Sequence, residues 1–195
     1  MDFRKWMEKQ QERIRNKMME SGVQDIIARK GKKFMNEFGQ SYNNGNFMWI
    51  PIRNFGSIKT FKVLKSKKES FIRKDVDDFI SDYSKKTFGW DFIKDGTYVG
   101  SYKNSRIIGK PHIFIPLGNY KYLWTSMGII KDLKPLWKTK KPFTDDYKNE
   151  VSFGSYDKFH MENSNLGNYL PSLTERWEGF FRCKEYIVMN EDFMS

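Results

Sequence analysis

The sequence predicts an α+β protein: a helix pair at the N-terminus, then a mixed or antiparallel sheet of about six strands with one long crossing helix. Three observations carry that prediction. Apolar residues around Trp6 and again around Phe79 recur every three or four positions, the period of a buried helix face. Short runs rich in aromatic and β-branched residues, bounded by Gly, Pro and Asn, have the pattern of strands. Ile113, Phe114, Ile115 and Leu117 form an apolar run without alternation, which reads as a strand covered on both faces.

In chain order, Phe3 to Ser21 reads as the first helix. Asp2 caps it, Phe3, Trp6, Met7, Ile14 and Met18 share one face, and Gly22 ends it. A second helix, about Val23 to Phe38, uses Val23, Ile26, Ile27, Phe34 and Phe38; Gly31 weakens its middle and Gly39 stops it. Residues 1–40 are therefore expected to be a helical extension and residues 41–195 an α+β core domain. Met48 to Ile52 is a short strand that Pro51 assigns to a sheet edge. Ile58 to Leu64 alternates as a strand does, and Ser66 with Glu69 has the form of a capping box. The long helix that follows, about Lys67 to Thr87, carries Ile72, Val76, Phe79, Ile80 and Tyr83 on one stripe, and Gly89 ends it. Thr97 to Ser101 is a short strand. Gly118-Asn119 is a two-residue turn signal joining the apolar run to the alternating Tyr120 to Trp124, so a hairpin is expected. Residues 138–147 and 157–168 read as loops around a weak strand at Glu150 to Phe153. Trp177 to Met189 reads as one strand or a pair.

The 35 Lys and Arg against 24 Asp and Glu leave a net charge of +11. Such an excess favours an acidic partner: nucleic acid, an acidic protein or a phosphate-rich cofactor. Lysines interleave with aromatic residues in Lys59 to Lys68, Tyr98 to Arg106 and Tyr120 to Lys141, as they do where cations grip phosphates and rings stack on bases. The lone Cys183 excludes an internal disulfide and an all-cysteine metal site. His112 and His160 form no ligand-spaced pair, and no phosphate-binding glycine loop or nucleophile elbow occurs. Asp75, Asp77 and Asp78 cluster on a helix and read as its solvated face, so no metal site is expected. No run approaches the ~18 apolar residues of a membrane span, and no signal peptide is expected.

Three blocks carry a resemblance. The first is Leu64 to Ser70, a basic strand end leading into a helix that closes at Phe88-Gly89. The second is Gly96 to Ser101, followed by Ile113 to Pro116, Tyr122 to Ser126 and Lys131 to Leu133. The third is Trp177 to Tyr186. Together, over about residues 48–190, they resemble a family of phage proteins whose layout is similar to ADP-ribosyltransferases. The resemblance implies NAD as cofactor. It implies Glu178, with Glu185 as the alternative, as the carboxylate that stabilises positive charge on the ribose when nicotinamide leaves. It implies Lys65 or Lys67 on the pyrophosphate, and Thr97 or Ser101 orienting the neighbouring groups. The sequence departs from that pattern in two places. The first block holds lysines where such families place an arginine, with Arg53 and Arg73 the nearest alternatives, and lysine lacks the bidentate fork. Glu175 and Glu178 are three apart, so a strand cannot aim both into one site. The implied protein is ADP-ribosyltransferase-like, active or degenerate, and modifies a host or viral macromolecule in the host cytoplasm or the virion. The alternative is a non-catalytic nucleic-acid-binding or virion assembly protein, with viral structural proteins as partners and no membrane.

Overall fold

Two long antiparallel strands carry the molecule: β4 (Lys110–Thr125) and β6 (Glu178–Asn190), paired from His112 opposite Asn190 to Thr125 opposite Glu178. The computed structural model describes residues 9, 12–13, 16, 22–52, 61–66, 74–125, 160–161, 166–170 and 177–190. Most of the expected first helix, the capping-box residues Lys67 to Glu69 and the weak strand at 150–153 lie outside them. Around the long pair are β1 (Trp49–Ile52), β2 (Phe61–Lys65), β3 (Thr97–Gly100) and the two-residue β5 (His160–Met161). The order is β2-β6-β3-β1-β4-β5, and β4 also pairs with β6. The circuit β6-β3-β1-β4 therefore closes on itself, and the sheet is partly a barrel. All the pairings are antiparallel. Among the described residues the α+β class holds, with five strands of four or more residues rather than six of full length.

The expected hairpin is absent. β4 runs straight through Gly118-Asn119, and these two residues stand opposite the single β6 residue Lys184. Gly118 has φ 68. A left-handed glycine serves a β-bulge as well as a turn, and the long partner strand decides between them. The bulge has a measurable consequence for β6. The C=O groups of Lys184 and Trp177 both point to the edge away from β4, where they accept from the N–H groups of Ser66 and Ser101 at 3.1 Å each. Those carbonyls are an odd number of residues apart, so strict alternation would send them to opposite edges. The phase is broken once between them, beside the bulge. A Cβ on Gly118 meets nothing within 4 Å, so only the backbone resists substitution. Gly118→Ala is expected to cost about 1–2 kcal/mol in denaturant unfolding with an unchanged m-value, and Gly118→Asn distinctly less. Equal costs would remove the backbone explanation.

Pro51 does not mark an edge, because β1 lies between β3 and β4. Phe114 N–H donates to Met48 C=O at 2.9 Å, which makes Pro51–Pro111 an unbonded pair of the β1–β4 ladder. Neither proline is asked for a donor there. On the β3 side only Trp49 is in register, opposite Gly100, so Pro51 interrupts no ladder.

Helices α1 (Val23–Lys30) and α2 (Lys32–Asn43) divide at Gly31, where a Cβ would lie 2.6 Å from Ile27 C=O. The second helix thus breaks where the sequence weakens it, and it continues past Gly39. Phe34, Phe38 and Tyr42 explain the continuation: they recur every four residues and all are buried. The Phe38 ring meets Tyr122 at 5.7 Å and Phe181 at 6.1 Å, and the Tyr42 hydroxyl donates to Phe114 C=O. Both helices contribute to the same apolar core as the long strands. The long helix α3 (Lys74–Phe88) leads to α4 (Phe92–Asp95), which Asp91 caps by accepting from Lys94 N–H at 3.0 Å. The short helices α4, α5 (Tyr102–Ile108) and α6 (Leu166–Tyr169) are not expected from the sequence; β5 and most of α6 lie in the stretch that reads as loop. No helix among the described residues is long and apolar enough to cross a membrane.

Candidate anion-binding groove

β6 changes neighbours halfway along its length. β2 leaves it at Lys65, opposite Glu185, and β3 takes over at Thr97, opposite Phe181. Arg182, Cys183 and Lys184 face the gap, and the bulge of β4 lies on their other side. The Ser66 and Thr97 hydroxyl oxygens are 3.1 Å apart and bridge the gap. Over it lies a groove of about 710 Å³ lined by cations from five elements: Lys33 of α2, Lys65 of β2, Lys94 of α4, Lys121 of β4, and Arg182 and Lys184 of β6. Asp95 is the one carboxylate among its lining residues.

Three of these cations have acidic company, and Lys65 is one, opposite Glu185 in the β2–β6 ladder. Lys33 Nζ donates to Tyr120 C=O at 2.6 Å, sits 4.4 Å from the centre of the Tyr120 ring and is 3.7 Å from Glu37. Lys94 is 3.0 Å from Asp78. The others differ. Lys121 stands directly opposite Arg182 across the β4–β6 ladder. Among the described residues neither of them, nor Lys184, has a carboxylate partner. Like charges in directly opposed positions destabilise a sheet. An anion seated between them removes that cost. The groove also holds Tyr120 and Cys183, but both are buried side chains. Burial pushes the Cys183 thiol up to about 12, which leaves it protonated and inert. Burial, and then the Glu37 carboxylate that accepts from it at 3.1 Å, raises the Tyr120 hydroxyl.

Of the residues singled out in the sequence, Lys65 lines the groove and Thr97 stands at its wall through Ser66. Glu185 lies beside them, half-buried. It accepts from Lys30 Nζ at 2.8 Å, and that hydrogen bond and charge, with a smaller contribution from Lys65, hold its carboxyl below the usual range. Lys67 lies outside the described residues. Ser101 and Glu178 are elsewhere. Ser101 Oγ caps α5 by accepting from Asn104 N–H at 3.2 Å. Glu178 is 3% exposed and accepts from the Tyr98 hydroxyl at 2.9 Å; burial, then the Glu178 charge, raises that hydroxyl. Glu178 is in register with Gly100, three residues beyond Thr97, so positions 97 and 178 put side chains on opposite faces. Along β6 it is roughly 20 Å from Glu185. Lys65 thus stands opposite Glu185, Thr97 reaches Ser66, and Glu178 lies apart from all of them.

Lys33, Lys94, Lys121, Arg182 and Lys184 are the groove residues not singled out from the sequence. A signal for two of them is present. In Phe180-Phe181-Arg182-Cys183-Lys184 the cations alternate with apolar residues, which places both on one side of a strand. Among the described residues no three His, Cys, Asp or Glu are grouped to hold a metal ion. No family model, no curated protein and no solved structure matches the chain.

Proposed function

We propose that this protein binds nucleic acid through its phosphates, without catalysis, in the groove at the gap in β6. The observation that carries this reading is the Lys121–Arg182 pair, two opposed cations with no carboxylate partner among the described residues, flanked by Lys65 and Lys184. A fold gains nothing from that pairing; an anionic ligand does. The net charge of +11 adds a long-range attraction for the same ligand. The test is fluorescence anisotropy of a labelled single strand over a salt series. Four cations that neutralise phosphates give a slope of log affinity against log salt of about −3. A flat response overturns the proposal.

A second reading, an ADP-ribosyltransferase-like enzyme that uses NAD on a host or viral macromolecule, is supported by one observation. Lys65 stands opposite Glu185, and the next residue, Ser66, meets the Thr97 hydroxyl. In that reading Lys65 holds the pyrophosphate, Thr97 orients its neighbours and Glu185, in place of Glu178, faces the ribose. Either activity belongs where nucleic acid or host protein is met, in the host cytoplasm or the virion. Glu185→Gln separates the two. Removal of a negative charge from the rim is expected to strengthen oligonucleotide binding about two- to fivefold at low salt. The enzyme reading instead requires a transfer of label from NAD to protein that the same substitution abolishes.

A further inference from the structure

We infer that the groove takes the sugar–phosphate backbone of a single strand and is indifferent to its bases; this rests on the phosphate-binding reading above. The six cations line one shallow, largely open recess. They converge from α2, α4, the end of β2, the β4 bulge and β6 onto one concave gap. A duplex offers its phosphates on a convex cylinder, and proteins that read it insert a helix or a ribbon into a groove of the DNA. Here the cations line a recess, and a volume of about 710 Å³ suits a ligand-sized segment, not a cylinder.

Among its described lining residues the groove has no stacking platform. Sites that hold single strands by their bases present exposed aromatic faces beside the cations. The ring that lines this groove, Tyr120, is buried, and its contacts are to Phe38, Tyr122, Phe181 and Lys33. No exposed aromatic ring lines the groove among the described residues. Polar contacts fall to Ser66 and Asn119, and Asn119 is held outward by the bulge. Lysine and arginine with small polar groups, and no exposed ring among the described lining residues, are donors for phosphate and sugar oxygens, which every nucleotide carries alike.

The experiment compares four short ligands of equal length by anisotropy at one low salt concentration: a mixed-sequence strand, a thymidine strand, a strand with abasic positions, and the mixed strand as a duplex. The three single strands are expected to bind within about threefold of one another, and the duplex at least about tenfold more weakly. A stacking site would lose roughly five- to a hundredfold for each base removed. Such a loss with the abasic strand overturns the inference, and so does a duplex that binds as well as the single strand. If none of the four ligands binds at low salt, the phosphate-binding reading falls and this inference falls with it. Lys184→Ala guards against binding elsewhere on a basic surface: all three single-strand affinities are expected to fall together by about five- to tenfold at 0.1 M salt. Unchanged affinities in that variant overturn the assignment to this groove.

Discussion

Arg182→Glu is expected to weaken single-strand binding at least about 25-fold at 0.1 M salt while leaving the fold as stable as before or slightly more so. The binding estimate follows from counterion release. Each neutralised phosphate contributes about 0.7 to the slope of log affinity against log salt. The substitution removes the cation that neutralises one phosphate. It also places a carboxylate opposite Lys121, which takes a second cation out of play. With two phosphates no longer neutralised, the variant forgoes about 1.4 of the logarithmic units of affinity that the wild type gains between 1 M and 0.1 M salt, and its salt slope is shallower by the same amount. The stability estimate has the opposite sign. The wild-type pair is a like-charge opposition on exposed strand positions, and the variant makes it an attractive one, worth about 0.2–1 kcal/mol. Most substitutions that harm function in a small domain do so by harming the fold. A loss of binding joined to a gain in unfolding free energy, measured on one preparation, marks a site held at a cost to the fold. Binding unchanged within twofold would place any ligand elsewhere.

The sheet's scaffold is legible in the sequence because it rests on local pattern. The strands read at Thr97 to Ser101 and Trp177 to Met189 agree with β3 and β6 to within a residue or so. What escapes the sequence is decided by partners far along the chain. Gly118-Asn119 demands a left-handed glycine in a bulge and in a hairpin alike, and only a β6 that spans both sides of it makes the strand continuous. Pro51 excludes a donor, not a neighbour; its place inside the sheet depends on the bonding phase fixed by Met48 and Phe114. Gly39 is a weak helix position, but Tyr42 beyond it is anchored on Phe114 C=O and carries the helix on. The groove escapes for the same reason. Its cations are spread from Lys33 to Lys184, and nothing local says that β2 stops short of β3 along β6. Lys65, Thr97 and Glu185 flank that gap, and only the family resemblance names them from the sequence. A glutamate at the start of a strand looks the same in sequence whether it meets solvent or, like Glu178, the Tyr98 hydroxyl in the interior.

Phe181→Ala is expected to cost about 3–5 kcal/mol, the range for deleting a buried phenyl ring. For a chain of this size that lowers the melting temperature by roughly 6–20 °C. Phe181 has no exposed surface. It stacks on Tyr122 at 4.9 Å and meets Phe114 at 5.4 Å, Tyr120 at 5.8 Å and Phe38 at 6.1 Å. The last contact bears on the organisation of the whole chain. Phe38 belongs to α2, within the first forty residues, which by sequence alone are set apart from the α+β core. If α2 merely docks, Phe38→Ala costs little, and unfolding of the remainder is unaffected. If α2 is one wall of the core, Phe38→Ala costs about as much as Phe181→Ala. The two changes together then cost less than their sum, by about 0.5–1.5 kcal/mol, because the second empties a space the first has already opened. The arrangement of rings favours the second outcome, since Phe38 also reaches Tyr120 and Tyr122 on β4, and Tyr42 bonds β4 one turn further on. It also ties fold to site. Tyr120 is held by Phe38 from within and by Lys33 from the rim, so loosening α2 moves the bulge and with it the cations of the groove. Phe38→Ala is therefore expected to weaken oligonucleotide binding even where the variant is fully folded, and that loss is expected to disappear at high salt.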